Sequence, residues 1–308
     1  MSILIDDIHK TYGAQIALAG VTLSIREGER FGLIGPDGAG KSSLMRILCG
    51  LLRADHGSFT LCGLDGSRDL RAIKSSIGYM PQRFSLYPDL TVAENLRFFA
   101  DLFTVPRKER EERLERLYRF SRLKPFAARR AAALSGGMKQ KLALSCALIH
   151  TPRVLILDEP TTGVDPVSRR EFWDILSELS RDGTTILVST PYMDEAARCD
   201  RIAFIHHGRL LAVDTPAGIP GRFPLTILEF RGRRFPVRHD DVLRVRGVAS
   251  VRLLGDRLRV ACESREAVER SVRDTLERGG AEVLSVRTDT PSIEDTFVHL
   301  MHEEPGHV

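Results

Sequence analysis

Phe31-Gly32-Leu33-Ile34-Gly35-Pro36-Asp37-Gly38-Ala39-Gly40-Lys41-Ser42-Ser43 decides the reading of this chain. The first four residues predict a short buried strand. A glycine-rich turn follows, and Leu44-Met45-Arg46-Ile47-Leu48 then has helical spacing. Gly35 to Ser42 fits G-x-x-x-x-G-K-[ST], the phosphate-binding loop. Gly35, Gly38 and Gly40 permit backbone angles closed to other residues, so successive N–H groups can turn inward onto phosphate oxygens. The helix that follows points its positive end at the same anion. Lys41 is expected on the β- and γ-phosphates, and the Ser42 hydroxyl on Mg²⁺.

Outward from this loop, the composition bounds the rest. The chain has 308 residues, 43% hydrophobic and 28% charged, enough for one large domain and a small one. A net charge of +4 and a pI near 8.9, spread along the chain, do not argue for nucleic acid. No apolar run approaches the roughly 18 residues a membrane helix needs. Met1-Ser2-Ile3-Leu4-Ile5-Asp6-Asp7 lacks the basic start and long apolar stretch of a signal peptide. Cys49, Cys62, Cys146, Cys199 and Cys262 are scattered singly, which predicts a reducing cytosol.

Residues 3–30 alternate apolar and polar, with turns at Tyr12-Gly13 and Glu27-Gly28-Glu29, and predict an antiparallel β layer. Tyr12 is either an ordinary strand-end aromatic or a platform for a base. Gly57-Ser58-Phe59-Thr60-Leu61 and Ile77-Gly78-Tyr79-Met80 predict further strands, the second running into Pro81-Gln82. A lone Gln means little, but at a strand end one element past a phosphate loop Gln82 could touch Mg²⁺ or the attacking water. From about residue 89 to 150 the pattern turns helical. Thr91 and Glu94 have capping-box spacing, and Leu114 and Leu117 are the apolar stripe of a solvated helix over 107–119. Ser135-Gly136-Gly137 precedes another helix and is either a helix start or an anion cradle.

Val154-Leu155-Ile156-Leu157-Asp158-Glu159 predicts a strand buried on both faces with two carboxylates at its C-terminal end, where open α/β sheets bind ligands. Asp158 is expected to hold Mg²⁺. Glu159 is expected to accept the proton of the attacking water. Thr184–Thr190 predicts another buried strand, and Ile202–Ile205 with Arg209–Ala212 a hairpin. Pro216–Gly221 has the composition of a linker. Beyond it, strands at 226–230, 251–253, 257–260 and 282–286 and a helix over 264–278 predict a small α+β accessory domain over 221–308, behind a main domain over 1–220.

This set of motifs resembles the ATP-binding subunit of ABC transporters over residues 1–220. Gly35–Ser42 resembles Walker A, Gln82 the Q-loop glutamine, and Val154–Asp158 Walker B with Glu159 as the catalytic carboxylate. Leu134–Gln140 resembles the family signature, with Met138 in place of Gln, and Gly163-Val164-Asp165 the D-loop. The resemblance implies a P-loop NTPase fold with an antiparallel β layer and a helical insertion, ATP and Mg²⁺ as ligands, and adenine stacked on Tyr12. It places Gly35, Pro36, Asp37, Gly38, Ala39, Gly40, Lys41, Ser42 and Ser43 around the phosphates, and Ser42, Gln82 and Asp158 on the metal. It also implies a head-to-tail dimer, in which Ser135, Gly136 and Gly137 meet ATP held by a second ATPase subunit, of the same or another chain. A separate integral-membrane permease would dock beside the Q-loop, at the cytoplasmic face of the cell membrane. Pro291–Leu300 and Tyr192–Ala196 resemble drug- and lipid-exporter ATPases of the daunorubicin-resistance type. One position departs: Pro191 stands where the family usually has histidine, and proline has neither a side-chain donor nor an N–H. That departure raises an alternative, an ATP-sensing subunit that hydrolyses little. A soluble ABC ATPase outside transport is a further alternative. Asp37 also replaces the usual Asn of Walker A.

Overall fold

The computed structural model describes residues 1–235 and 240–303. The chain forms two compact units, Met1–Pro216 and one beginning at Ala217. In the first, the elements in order are β1 (Ile3–Tyr12), β2 (Gln15–Ile25), β3 (Arg30–Ile34), α1 (Lys41–Leu48), β4 (His56–Leu61), β5 (Leu64–Asp65), α2 (Leu70–Ser76) and β6 (Ile77–Met80). There follow α3 (Val92–Leu102), α4 (Arg107–Ser121), α5 (Gly136–Leu148), β7 (Val154–Asp158), α6 (Pro166–Arg181), β8 (Thr185–Thr190), α7 (Met193–Ala196), β9 (Arg201–His206) and β10 (Arg209–Asp214).

Two sheets sandwich the core of this unit. The first is an antiparallel sheet in the order β2-β1-β4-β5. The second has the order β10-β9-β3-β8-β7-β6; β3, β6, β7, β8 and β9 run parallel, and β10 closes the edge antiparallel to β9. Every residue of β7 and β8 is buried. Strands covered on both faces read as continuous aliphatic runs, and these two do. Ile3, Ile8, Val21 and Ile25 from the antiparallel layer meet Phe31, Leu33, Leu44, Met45, Ile156 and Ala203 in one apolar cluster. The P-loop helix α1 thus lies between the layers, fixed by its apolar face.

The insertion over 89–150 folds as helices α3, α4 and α5. Thr91 and Glu94 form the expected capping box on α3: Glu94 N donates to Thr91 Oγ1 at 3.2 Å, and Thr91 N donates to Glu94 Oε2 at 2.8 Å. Leu114 and Leu117 are the buried stripe of α4. The short helix α2, which the sequence analysis passed over, is an unpatterned seven-residue segment with Ile73 as its single buried residue. Nothing in its spacing distinguishes it from a loop.

The second unit contains β11 (Thr226–Arg233), α8 (Asp240–Leu243), β12 (Val248–Leu254), β13 (Arg257–Cys262), α9 (Arg265–Arg278), β14 (Glu282–Asp289) and α10 (Ile293–Glu303). Its antiparallel sheet has the order β12-β13-β11-β14, a split βαβ arrangement. Leu228, Phe230, Leu258 and Val260 of one sheet face pack with Val268, Val272 and Leu276 of α9. Ile219–Arg222, overlapping the end of the stretch with linker composition, forms a 3₁₀ turn of this unit, and Ile219 is fully buried. Ser292 and Asp295 cap α10, with Asp295 N donating to Ser292 Oγ at 3.1 Å and Ser292 N donating to Asp295 Oδ2 at 2.8 Å.

Candidate functional site at the ends of the parallel strands

Sheet register assembles the site. Ile34, last in β3, pairs with Thr190, last in β8; Ser189 in turn pairs with Asp158, last in β7. Leu157 pairs with Met80, last in β6. The segments leaving β3, β6, β7 and β8 therefore emerge at one edge, carrying the phosphate loop, Gln82, Asp158-Glu159 and Ser189-Thr190. They open into a cleft of about 360 Å³ lined by Tyr12, Gln15, Ala17, the loop from Asp37 to Ser43, Gln82 and Glu159. A larger cleft of about 650 Å³ lies at the opposite strand ends, beside Arg153 and Thr184, and holds no motif residue.

The glycines of the loop are required by geometry. Gly40 has φ +105°, and a Cβ there would lie 2.3 Å from the Ala17 carbonyl oxygen. At Gly35 a Cβ would lie 2.2 Å from the Ile205 carbonyl oxygen. The β9–β10 turn supports the loop from below, where Gly208 N donates to Ala39 O at 3.0 Å. At the N-terminus of α1 the first N–H groups have no intrahelical acceptors and face the cleft, which suits a phosphate chain. Asp37 is exposed, and Pro36 and Ala39 shape the turn without offering side-chain donors.

Lys41 is 4% exposed: Nζ donates to Gly35 O at 2.8 Å and to Pro36 O at 3.0 Å, and forms an ion pair with Glu159 Oε1 at 3.1 Å. Gln82 Nε2 donates to Glu159 Oε2 at 2.9 Å, which leaves the Gln82 amide oxygen for another ligand. Lys41, Gln82 and Glu159 thus meet around one carboxylate. Glu159 takes a left-handed backbone, φ +49°, unusual for a residue with a side chain and common where function demands strain.

Asp158 is 1% exposed. Its Oδ1 accepts from Ser189 Oγ at 2.8 Å, while its buried Oδ2 has no hydrogen-bond partner among the described residues. An unpaired buried carboxylate oxygen is costly. One carboxylate, the Ser42 hydroxyl and the Gln82 amide oxygen form an oxygen-only donor set. Such a set fits Mg²⁺, which takes few protein ligands and keeps water and phosphate oxygens. Tyr12 is 46% exposed at the mouth of the cleft, with its hydroxyl 3.4 Å from Ser43 Oγ. Its strand end is tied down by Asp55, which accepts from Lys10 Nζ at 2.6 Å and Thr11 N at 2.7 Å. The Lys10 hydrogen bond first, then those from Thr11, pull the Asp55 carboxyl down to about 2.

Ser135, Gly136 and Gly137 do not join this cleft. Ser135 caps α5, accepting from Met138 N at 3.4 Å, and Gly137 packs so closely on Ser168 that a Cβ would lie 2.5 Å from its hydroxyl. The motif is thus seated against the start of α6, away from its own phosphate loop. Pro191 leaves β8 directly after Thr190, and Tyr192 N donates to Thr190 Oγ1 at 3.1 Å. The sequence analysis missed Ser189, which is fully buried, donates to Asp158 and accepts from Glu159 N at 2.9 Å. A polar pair ending an aliphatic strand was its one visible signal.

The family model for the ABC transporter matches residues 18–162. The chain is 41% identical over 289 residues to the probable multidrug ABC transporter ATP-binding protein YbhF of Escherichia coli (strain K12), covering 92% of this chain and 49% of that protein. It therefore spans about half the length of that relative. It is 36% identical over 299 residues to Nod factor export ATP-binding protein I of Rhizobium sp. (strain N33), covering 96% of each. Among solved structures, the dimeric post-hydrolysis state of the ATP-binding cassette MJ0796 bound to ADP and Pi superposes with a TM-score of 0.64 and 28% identity, over 69% of this chain and 98% of that one. A P-loop core of this topology, matched nearly end to end by an export ATP-binding protein, places the chain in the family of ABC transporter ATP-binding proteins.

Proposed function

We propose that the chain binds and hydrolyses MgATP and thereby drives a separate membrane permease that exports drug-like or lipid-like cargo. The observation that carries the reading is the meeting of Lys41, Gln82 and Glu159 within hydrogen-bond distance beside the phosphate loop. In this reading the P-loop amides and Lys41 hold the phosphates, and Tyr12 stacks on adenine. Ser42, Asp158 and Gln82 would hold Mg²⁺, which when bound would supply positive charge to offset that of the phosphates. Glu159, released from Lys41 as that ammonium turns to the phosphates, accepts a proton from the attacking water. A positioned base of this kind contributes roughly 10²–10⁴-fold in rate.

Ser135, Gly136 and Gly137 would close on the nucleotide of a facing ATPase subunit. Their position at the N-terminus of α5, turned away from their own cleft, supports that role, as does the dimeric state of the MJ0796 cassette. For the permease, the supporting feature is an apolar groove of about 260 Å³ next to Gln82, lined by Tyr79, Phe84, Leu86, Phe99 and Phe103 among others. Among the described residues no helix is long and apolar enough to cross a membrane. The export reading draws on the names of YbhF and of the Nod factor protein.

A second reading, an ATP sensor with little turnover, is favoured by Pro191, which offers no donor to a γ-phosphate or to water. Steady-state ATP hydrolysis by the purified chain separates the two, with Glu159→Gln as the background and Pro191→His beside it. The motor reading expects a rate roughly a hundred-fold or more above the Gln variant. A rate equal to that variant, with ATP still bound, would refute it in favour of the sensor. Rescue by Pro191→His would then localise the defect.

A further inference from the structure

We propose that Glu195 is a positioning residue for hydrolysis, tying the loop that carries Glu159 to the end of β8 and so holding the Glu159 carboxylate on its target. Glu195 lies in α7 and is 1% exposed. Its Oε1 accepts from Thr161 Oγ1 and its Oε2 from Thr190 Oγ1, each at 2.6 Å. Thr161 and Thr190 are themselves 1% exposed. The Arg169 guanidinium lies 3.6 Å from Oε1 and stacks over the Tyr192 ring at 4.4 Å, closing the solvent side.

Both arms of this clamp end on Glu159. Thr161 is two residues beyond it, in a turn closed by Val164 N donating to Thr161 O at 3.1 Å and Thr162 N donating to Glu159 O at 3.3 Å. Thr190 adjoins Ser189, whose hydroxyl accepts from Glu159 N. Glu159 keeps its left-handed backbone only if its surroundings over-determine it, and these two arms hold it from either side. A carboxylate is an expensive way merely to fill a buried space, because an apolar side chain would fill it without the cost of desolvation. Two short hydroxyl bonds to the two segments flanking one reacting group are what distinguish this position. Tyr192 N donates to the Thr190 hydroxyl at 3.1 Å, which leaves that hydroxyl's own proton for Glu195.

The inference rests on Glu159 as the base. Its test is steady-state ATP hydrolysis by the full chain carrying Glu195→Ala, Thr161→Val or Thr161→Ser, each alone, with Glu159→Gln and the Glu159→Gln/Thr161→Val double variant. Glu195→Ala and Thr161→Val are expected to lower kcat ten-fold or more while KM for ATP stays within two-fold, since the groups that hold ATP are untouched. Thr161→Ser keeps the hydroxyl and is expected to recover kcat to within three-fold. In the Glu159→Gln background, Thr161→Val is expected to change the residual rate by less than two-fold, because its effect passes through the missing carboxylate. A Thr161→Val kcat within two-fold of the parent overturns the proposal. So does a rise in KM matching the fall in kcat, or a full further loss in the Gln background. If Glu195→Ala fails to fold, the near-isosteric Thr161→Val decides alone. A fully active Glu159→Gln would overturn the reading of Glu159 and this inference with it, whereas an impaired Glu159→Gln beside an unimpaired Thr161→Val would sink this inference only.

Discussion

Ser189→Ala removes one oxygen and two hydrogen bonds at the centre of the site. The Ser189 hydroxyl donates to Asp158 Oδ1 at 2.8 Å and accepts from Glu159 N at 2.9 Å. Ser189 is fully buried, and Asp158 and Glu159 are 1% and 5% exposed, so water does not replace what is lost. Asp158 Oδ2 already lacks a partner, and in the variant neither oxygen of that carboxylate keeps one among the described residues. A hydrogen bond to a charged group is worth about 1.5–3 kcal/mol, and a buried N–H left unpaired costs about 1–3 kcal/mol. Both bonds share one hydroxyl, so the sum overstates the loss, and about 3 kcal/mol is expected. For a unit of this size that lowers the melting temperature by roughly 6–12 °C. Differential scanning calorimetry of the full chain measures it, with Ser189→Thr, which keeps a hydroxyl, expected to fall much less. A Ser189→Ala transition within about 2 °C of the parent would show that the hydroxyl does not carry the network, and the account of how β8 organises the carboxylates would be wrong.

Two other consequences concern nucleotide binding. Gly40→Ala places a methyl 2.3 Å from the Ala17 carbonyl oxygen at φ +105°, so the loop must move; affinity for ATP, measured by fluorescent nucleotide titration, should fall at least ten-fold, and unchanged affinity would contradict the cradle geometry. Asp55, held down to about 2 by Lys10 and Thr11, should titrate in ¹³C carboxyl spectra well below the ordinary 3.8. Its depressed value stabilises the Tyr12 end of β1 fully above pH 3.8, and that contribution disappears as the pH falls through about 2. A midpoint at 3.8 would mean that the clamp does not form.

Much of the fold could be read from the chain because the informative signals are local. The phosphate loop is contiguous, its glycines are dictated by the backbone each must adopt, and the aliphatic runs of β7 and β8 have no solvated face to interrupt them. The capping box at Thr91 is likewise a four-residue pattern with a four-residue cause. The small unit showed its alternating strands, but its strand order β12-β13-β11-β14 depends on pairings far apart in sequence. The roles of Ser189, Thr161 and Glu195 were out of reach for the same reason. Each is an ordinary residue type whose meaning lies in a partner about thirty positions away, in Glu159 N, Glu195 and Thr161 respectively.

What the sequence by itself determined, then, is the kind of chemistry: a phosphate cradle, a buried pair of carboxylates and a glutamine, each set by a short pattern whose geometry follows from neighbouring residues. What only the tertiary structure decided is which groups touch. Lys41 and Glu159 are far apart in the chain, yet they lie 3.1 Å apart because parallel strands in one register bring their C-terminal ends to a common edge. Likewise Ser135 has the composition of an anion site, and only its seat on the start of α6 turns it away from its own phosphate loop. Local backbone chemistry is encoded within a few residues, whereas the register of a sheet is settled by burying a whole core at once.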